Sequence, residues 1–299
     1  DKAGSLYFSG EQYDMTYPGY GSTYMDMQGS LALLFEQASS RGHLQETPTG
    51  DISFPFTIKN QYISSFATIK ATIINKDVLY NYQNKFFKNA VDKSVKSKVK
   101  GYVFGDAYDK NRVKAFLDIL LTHKIKVYDL DQNFSINNKD FKKGSSYVVP
   151  ANQKQYYMVQ TLFETFEKYR DSVYYDASAW SLVNFYNMKY NALSKVPKYS
   201  DEITVANNKI VLESVVKSNY AYLVPWDDYN APAVLYALQK EELVIKTSTK
   251  PFTIIANGKE TNFRRGALVI TSSLQEKSKD DLYALINSVS KKYNVQAYG

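Results

Sequence analysis

The residue whose type and setting most invite chemistry is Glu36, a carboxylate inside the apolar run LALLFEQ (31–37). Burying an unpaired charge is costly, so a glutamate placed there is paired, turned to solvent by periodicity, or held for reaction. A carboxyl in a partly apolar wall has a raised pKa, which makes it a better base near neutral pH. Arg41 and the lysines are candidate partners for the pairing alternative. Histidine occurs only as His43 and His123, and cysteine does not occur. Catalytic zinc takes three protein ligands and an open water position, which these residues do not supply. A thiolate nucleophile and a disulfide framework are both excluded. Ser178, in YYDASAWSLVNF (174–185), has no histidine after it, so a Ser-His mechanism lacks its base.

Around Glu36 the sequence changes character. Residues 11–30 are rich in Tyr, Gly and Ser, as in a long surface loop, and LALLFEQ reads as a short buried strand. DISFPFTI (51–58) alternates Ile52, Phe54, Phe56 and Ile58 and reads as an extended segment broken by Pro55. A long helix is expected from Asn60 to about Lys88, with Tyr62, Phe66, Ile69, Ile73 and Tyr80 on its buried face. A lysine-rich helix end and linker follows to Gly101. Beyond it, GYVFG, the helix DKNRVKAFLDILLTHK with Asp109 as N-cap, and IKVYDL make a βαβ unit. SSYVVP, NQKQYYMVQTLFETFEKY, NYAYLVP, APAVLYALQKE, FTIIANG, GALVITSS and KDDLYALINSVSKKY continue the alternation to the C-terminus. The expected fold class is therefore α/β. Its second domain, 100–299, is expected to be a doubly wound, mainly parallel sheet shared by GYVFG, KVYDL, SSYVV and AYLVP.

Composition narrows the partners. The chain of 299 residues with 44% hydrophobic content allows about two domains with real cores. A net charge of +7 is almost all lysine, and five arginines are too few for extensive base or phosphate recognition, so nucleic acid is not the expected partner. No run approaches the roughly 18 apolar residues of a membrane span. The opening DKAGSLYFSG has neither an initiator Met nor a signal pattern and reads as the start of a fragment or processed form.

YPGYGSTYMDMQGSLALLFEQASSRGH (17–43) resembles the C-terminal part of the catalytic domain of the zinc carboxypeptidases. Residues 1–92 carry this resemblance. The region from residue 100 resembles the class I glutamine amidotransferase-like accessory domain of some bacterial members. The resemblance implies that Glu36 is the general base and acid, and that Tyr17 or Tyr20 caps bound substrate. It also puts Thr23 at the base of a specificity pocket that, being uncharged, selects no charged residue. It implies a peptide substrate, zinc in the complete protein held by residues upstream of Asp1, and a periplasmic or secreted location. The accessory domain is expected to be non-catalytic, since the amidotransferase cysteine is missing. In VFGDAYD (103–109) a glycine and acids follow a strand, and the segment reads as a vestigial pocket or a protein interface. The alternative function is a non-catalytic binding or scaffolding protein of the cell envelope, with the 27 tyrosines supplying a glycan or peptide surface.

Overall fold

The computed structural model describes residues 18–165 and 181–299. In order, the chain forms α1 (Gly21–Met27), β1 (Leu44–Gln45), β2 (Ile52–Ser53), α2 (Phe54–Ile74) and α3 (Lys76–Lys96). It continues through β3 (Gly101–Gly105), α4 (Lys110–Thr122), β4 (Tyr128–Leu130), β5 (Phe134–Ile136), β6 (Lys139–Phe141) and β7 (Ser146–Pro150). Next come α5 (Tyr156–Phe163), α6 (Leu182–Phe185), β8 (Lys189–Leu193), β9 (Tyr199–Glu202), β10 (Ala221–Val224) and α7 (Ala231–Lys240). The chain ends in β11 (Lys246–Thr247), β12 (Phe252–Ala256), β13 (Lys259–Phe263), β14 (Leu268–Thr271) and α8 (Lys279–Tyr293). Helix and strand are thus mixed throughout, and no helix among the described residues is long and apolar enough to cross a membrane.

The chain divides into two compact units. The first takes the described residues of Asp1–Lys100 and Ala151–Phe185, and the second takes Gly101–Pro150 and Tyr186–Gly299.

In the first unit, Ser53 caps α2 by accepting the Phe56 N–H at 3.3 Å, and Pro55 lies in the opening turn. A helix needs no N–H from that turn, so proline starts the helix here and does not break an extended segment. The expected strand is reduced to Ile52–Ser53. The single long helix is also corrected: two helices meet at Asn75, whose φ of −101° and ψ of 19° interrupt the first. The expected buried face is exposed, with Tyr62 62% and Ile73 67% accessible, and no residue of α2 is buried. Helical spacing of apolar residues marks a face but does not supply what covers it. Helix α3 does find a partner. Phe86 lies 4.8 Å from the Tyr157 ring of α5, and Lys93 stands over that ring at 5.2 Å.

The second unit forms a five-stranded sheet of order β8-β3-β7-β4-β9 and a three-stranded sheet of order β10-β14-β11. All of their pairings are antiparallel. This corrects the doubly wound parallel sheet, and AYLVP lies in a different sheet from GYVFG, KVYDL and SSYVV. The reason lies in which strand fills the middle. β3 and β4 run the same way, as a helical crossover requires, but β7 is inserted between them and opposes both. β10, α7 and β11 repeat the plan, with β14 inserted. These are split βαβ units. Alternation of strand and helix in a sequence does not say whether successive strands touch.

The two split units share more than topology. Each has an Asp-x-Asn at the start of its helix, Asp109 to Asn111 and Asp228 to Asn230. Each carries a hairpin between its second and inserted strands, β5–β6 and β12–β13. The hairpins turn on Asn137-Asn138 and Asn257-Gly258, all with positive φ, as a tight two-residue turn demands. Each inserted strand is preceded by two basic residues and a positive-φ glycine, Lys142-Lys143-Gly144 and Arg264-Arg265-Gly266. One apolar cluster lies around Val103, Leu130, Phe141 and Val148, and the other around Tyr222, Leu238, Ile270 and Ile286.

The copies interlock reciprocally. Asp109 accepts the Tyr229 N–H at 3.0 Å, and Asp228 accepts from Asn111 Nδ2 at 2.7 Å. Both aspartates are buried. Arg112 neutralises the first, with its Nε 3.3 Å from Asp109 and an Nη 2.6 Å from Asp106. Asp228 has no such cation among the described ion pairs, and desolvation, with the Asp109 charge adding to it, holds its carboxyl above the usual range. The Asn230 N–H and the Asn111 amide offset part of that cost.

Candidate functional site

The segment expected to carry the chemistry lies in the first unit. Tyr20 is the N-cap of α1, with extended backbone and a partly exposed ring. Thr23, inside that helix, is 2% exposed, and its hydroxyl has no hydrogen-bond partner among the described residues. Tyr17 lies outside the described residues, as does Ser178. After α1 the chain turns at Gly29, where φ is 74°. A Cβ there would stand 2.9 Å from Phe86 Cδ1, so only glycine lets the turn approach α3 this closely.

LALLFEQ is not the buried strand its apolar run suggests. No strand is formed from Leu31 to Gln37, and Leu31, Leu33, Leu34 and Phe35 are exposed. The Ala32 N–H is taken by the Asp26 carboxylate at 3.0 Å, so this donor is not offered to a neighbouring strand. Glu36 is itself exposed, and it forms no ion pair with Arg41 among the described residues. Of the three explanations for a carboxylate in this run, the solvent-facing one describes its surroundings.

Immediately after Glu36 the chain forms one wall of a cleft of about 410 Å³. Its polar lining comes from Gln37, Ser39, Arg41 and His43, and Thr57 and Gln61 of α2 face them. The Gln37 side-chain oxygen Oε1 accepts from Asn60 Nδ2, which ties the loop to the helix. His43 has a φ of 74°, its ring meets Phe54 edge to face at 5.6 Å, and its carbonyl accepts the Phe54 N–H at 2.8 Å. Tyr20, Thr23 and Glu36 do not line this cleft. Arg41 and His43 stand out in the sequence, but nothing in their spacing announces the helix that faces them.

The histidines stay apart in role. His43 belongs to the loop of the first unit, and His123 is the C-cap of α4 in the second, where burial lowers its pKa. Among the described residues no group of three His, Cys, Asp or Glu side chains is placed to hold a metal ion. Comparisons with family models, curated proteins and solved structures give no match to this chain.

Proposed function

We propose that this chain forms the glutamate-bearing portion of a zinc-dependent carboxypeptidase, with Glu36 as general base and then general acid in peptide-bond hydrolysis. The observation that carries the reading is the setting of Glu36: an exposed carboxylate with no ion pair to Arg41, directly before the polar wall of a cleft. Exposure leaves the Glu36 carboxylate accessible to water and to a substrate. Water attacking the scissile carbonyl carbon gives its proton to Glu36, and Glu36 passes that proton to the departing amine nitrogen. Tyr17, or Tyr20 in its place, is assigned to covering the substrate. Thr23 supplies no charge, so the reading predicts no strong selection for a charged terminal side chain. The exposed apolar side chains of 31–35 and of α2 support a surface that packs against further protein.

The described residues do not fit the metal this reading implies. It therefore assigns the zinc ligands outside this chain, and the chain's own residues carry only the proton transfers. A periplasmic or secreted location belongs to the same proposal. The test is Glu36→Gln in the zinc-loaded protein, read as release of the C-terminal residue of a peptide. The expected result is a fall in kcat of roughly 10²-fold or more with an unchanged melting temperature. A variant that melts early yet keeps its turnover per folded molecule would end the catalytic reading.

Exposed aromatics of the second unit, among them Tyr108, Trp226 and Tyr229, favour a second reading in which the protein binds without catalysis at the cell envelope. Absence of peptide hydrolysis by the zinc-loaded wild-type protein would favour it.

A further inference from the structure

The two split βαβ copies differ in the space around the glycine before the inserted strand. In the second copy the loop after β10 sends Trp226 against Gly266, where a Cβ would meet the indole Cδ1 at 3.2 Å. In the first copy the corresponding glycine, Gly144, has nothing within 4 Å of such an atom. The space left there is a cleft of about 250 Å³ beside the carboxyl end of β3.

Its walls have two characters. Val113, Leu117 and Tyr147 form an apolar side, and Lys110, Lys114 and Lys209 also line the cleft. The charges do not cancel locally. Asp106, the acid that lines the cleft, shares the single guanidinium of Arg112 with Asp109, so this triad keeps one negative charge, and Lys114 is matched by Asp118 at 2.6 Å. Glu213, whose carboxylate feels Lys110, is paired with Lys259 at 2.8 Å. Among the described residues neither Lys110 nor Lys209 has an ion pair. Lys110 and Lys209, which have no ion pair among the described residues, exceed the charge left on the Asp106–Asp109–Arg112 triad by one, and this net positive charge over an apolar wall selects a ligand with an anionic head and a short apolar body.

We infer that this cleft binds a small organic anion, its phosphate or carboxylate group held by Lys110 and Lys209 and its apolar part against Val113, Leu117 and Tyr147. This assignment is independent of the peptidase reading, because it uses only residues of the second unit. The Lys-Lys-Gly and Arg-Arg-Gly stretches are alike in sequence, and Trp226 decides which copy keeps the opening.

The test is calorimetric titration of the 299-residue chain at low salt with phenyl phosphate, phenylacetate and inorganic phosphate, repeated on Lys110→Gln/Lys209→Gln and on Lys250→Gln, an exposed lysine away from the cleft. Phenyl phosphate or phenylacetate, or both, should bind at one site. The double variant should weaken that binding by roughly tenfold or more, while Lys250→Gln leaves it unchanged. A tighter phenyl phosphate identifies the head as phosphate, and a tighter phenylacetate as carboxylate. Inorganic phosphate should bind more weakly than phenyl phosphate, since it leaves the apolar wall wet. The proposal is overturned if neither aromatic anion binds at millimolar concentration, if the double variant binds as wild type, or if Lys250→Gln costs as much. Circular dichroism of the double variant establishes that it is folded, and Lys110→Arg/Lys209→Arg should restore binding by returning both charges.

Discussion

Replacing Asp109 by alanine should destabilise the second unit by about 1.5–2 kcal/mol. The side chain is 4% exposed and performs two separable tasks. It caps α4 by accepting the Arg112 N–H at 2.9 Å, a contribution of typically about 1 kcal/mol. It also accepts the Tyr229 N–H from the second copy at 3.0 Å, a part-buried bond that contributes about 1 kcal/mol more. Arg112 is not orphaned by the change, because Asp106 remains 2.6 Å away. Loss of the Asp109 charge also relieves Asp228, which offsets a small part of the damage. For a domain of this size the total corresponds to a fall of about 3–8 °C in melting temperature. Asp109→Asn retains the accepting oxygen and should cost less than half as much. Urea titration followed by circular dichroism, with the slope m compared across variants, measures both. If Asp109→Ala costs under about 0.5 kcal/mol, or the asparagine variant is as damaged as the alanine one, the paired role of this side chain is refuted.

Gly105→Ala would put a Cβ 2.3 Å from the Ser145 carbonyl oxygen and 2.7 Å from Ser146 Cα, so the β3–β7 ladder must open, and a loss at or above the usual ~1–3 kcal/mol of overpacking is expected by thermal melting. Gly21→Ala, with nothing within 4 Å, is the control and should melt within a degree or two of wild type; equal melting temperatures for the two variants would contradict the close approach. Burial, with the Asp129 charge second, pushes the Tyr147 phenol up to about 12. Its folded pKa lies above the unfolded value near 10, so its contribution is fully present below pH ~10 and is lost as pH rises toward ~12, by up to roughly 2–3 kcal/mol. Tyr147→Phe should therefore lose less stability than wild type between pH 9 and pH 11.5 in urea titrations, and parallel losses would rule that out.

Much of the second unit follows from sequence alone, because its signals are local. GYVFG is a strand with every residue buried, Asp109 caps α4, and the helices at 231–240 and 279–293 lie where their apolar spacing puts them. Strand order is another matter. Both β3 and β10 read as members of one parallel sheet, yet each pairs with an inserted antiparallel strand in a sheet of its own. That choice depends on which edge a distant segment reaches first, and no local pattern encodes it. The same limit applies to Glu36. An apolar run predicts a buried strand only if a neighbour supplies hydrogen bonds and cover, and here the Ala32 N–H goes to Asp26 while the leucines face outward. Sequence determined which residue types could do chemistry and where helices begin. Tertiary structure alone decided which faces are covered, because burial belongs to pairs of surfaces and a single stretch of chain specifies only one of them.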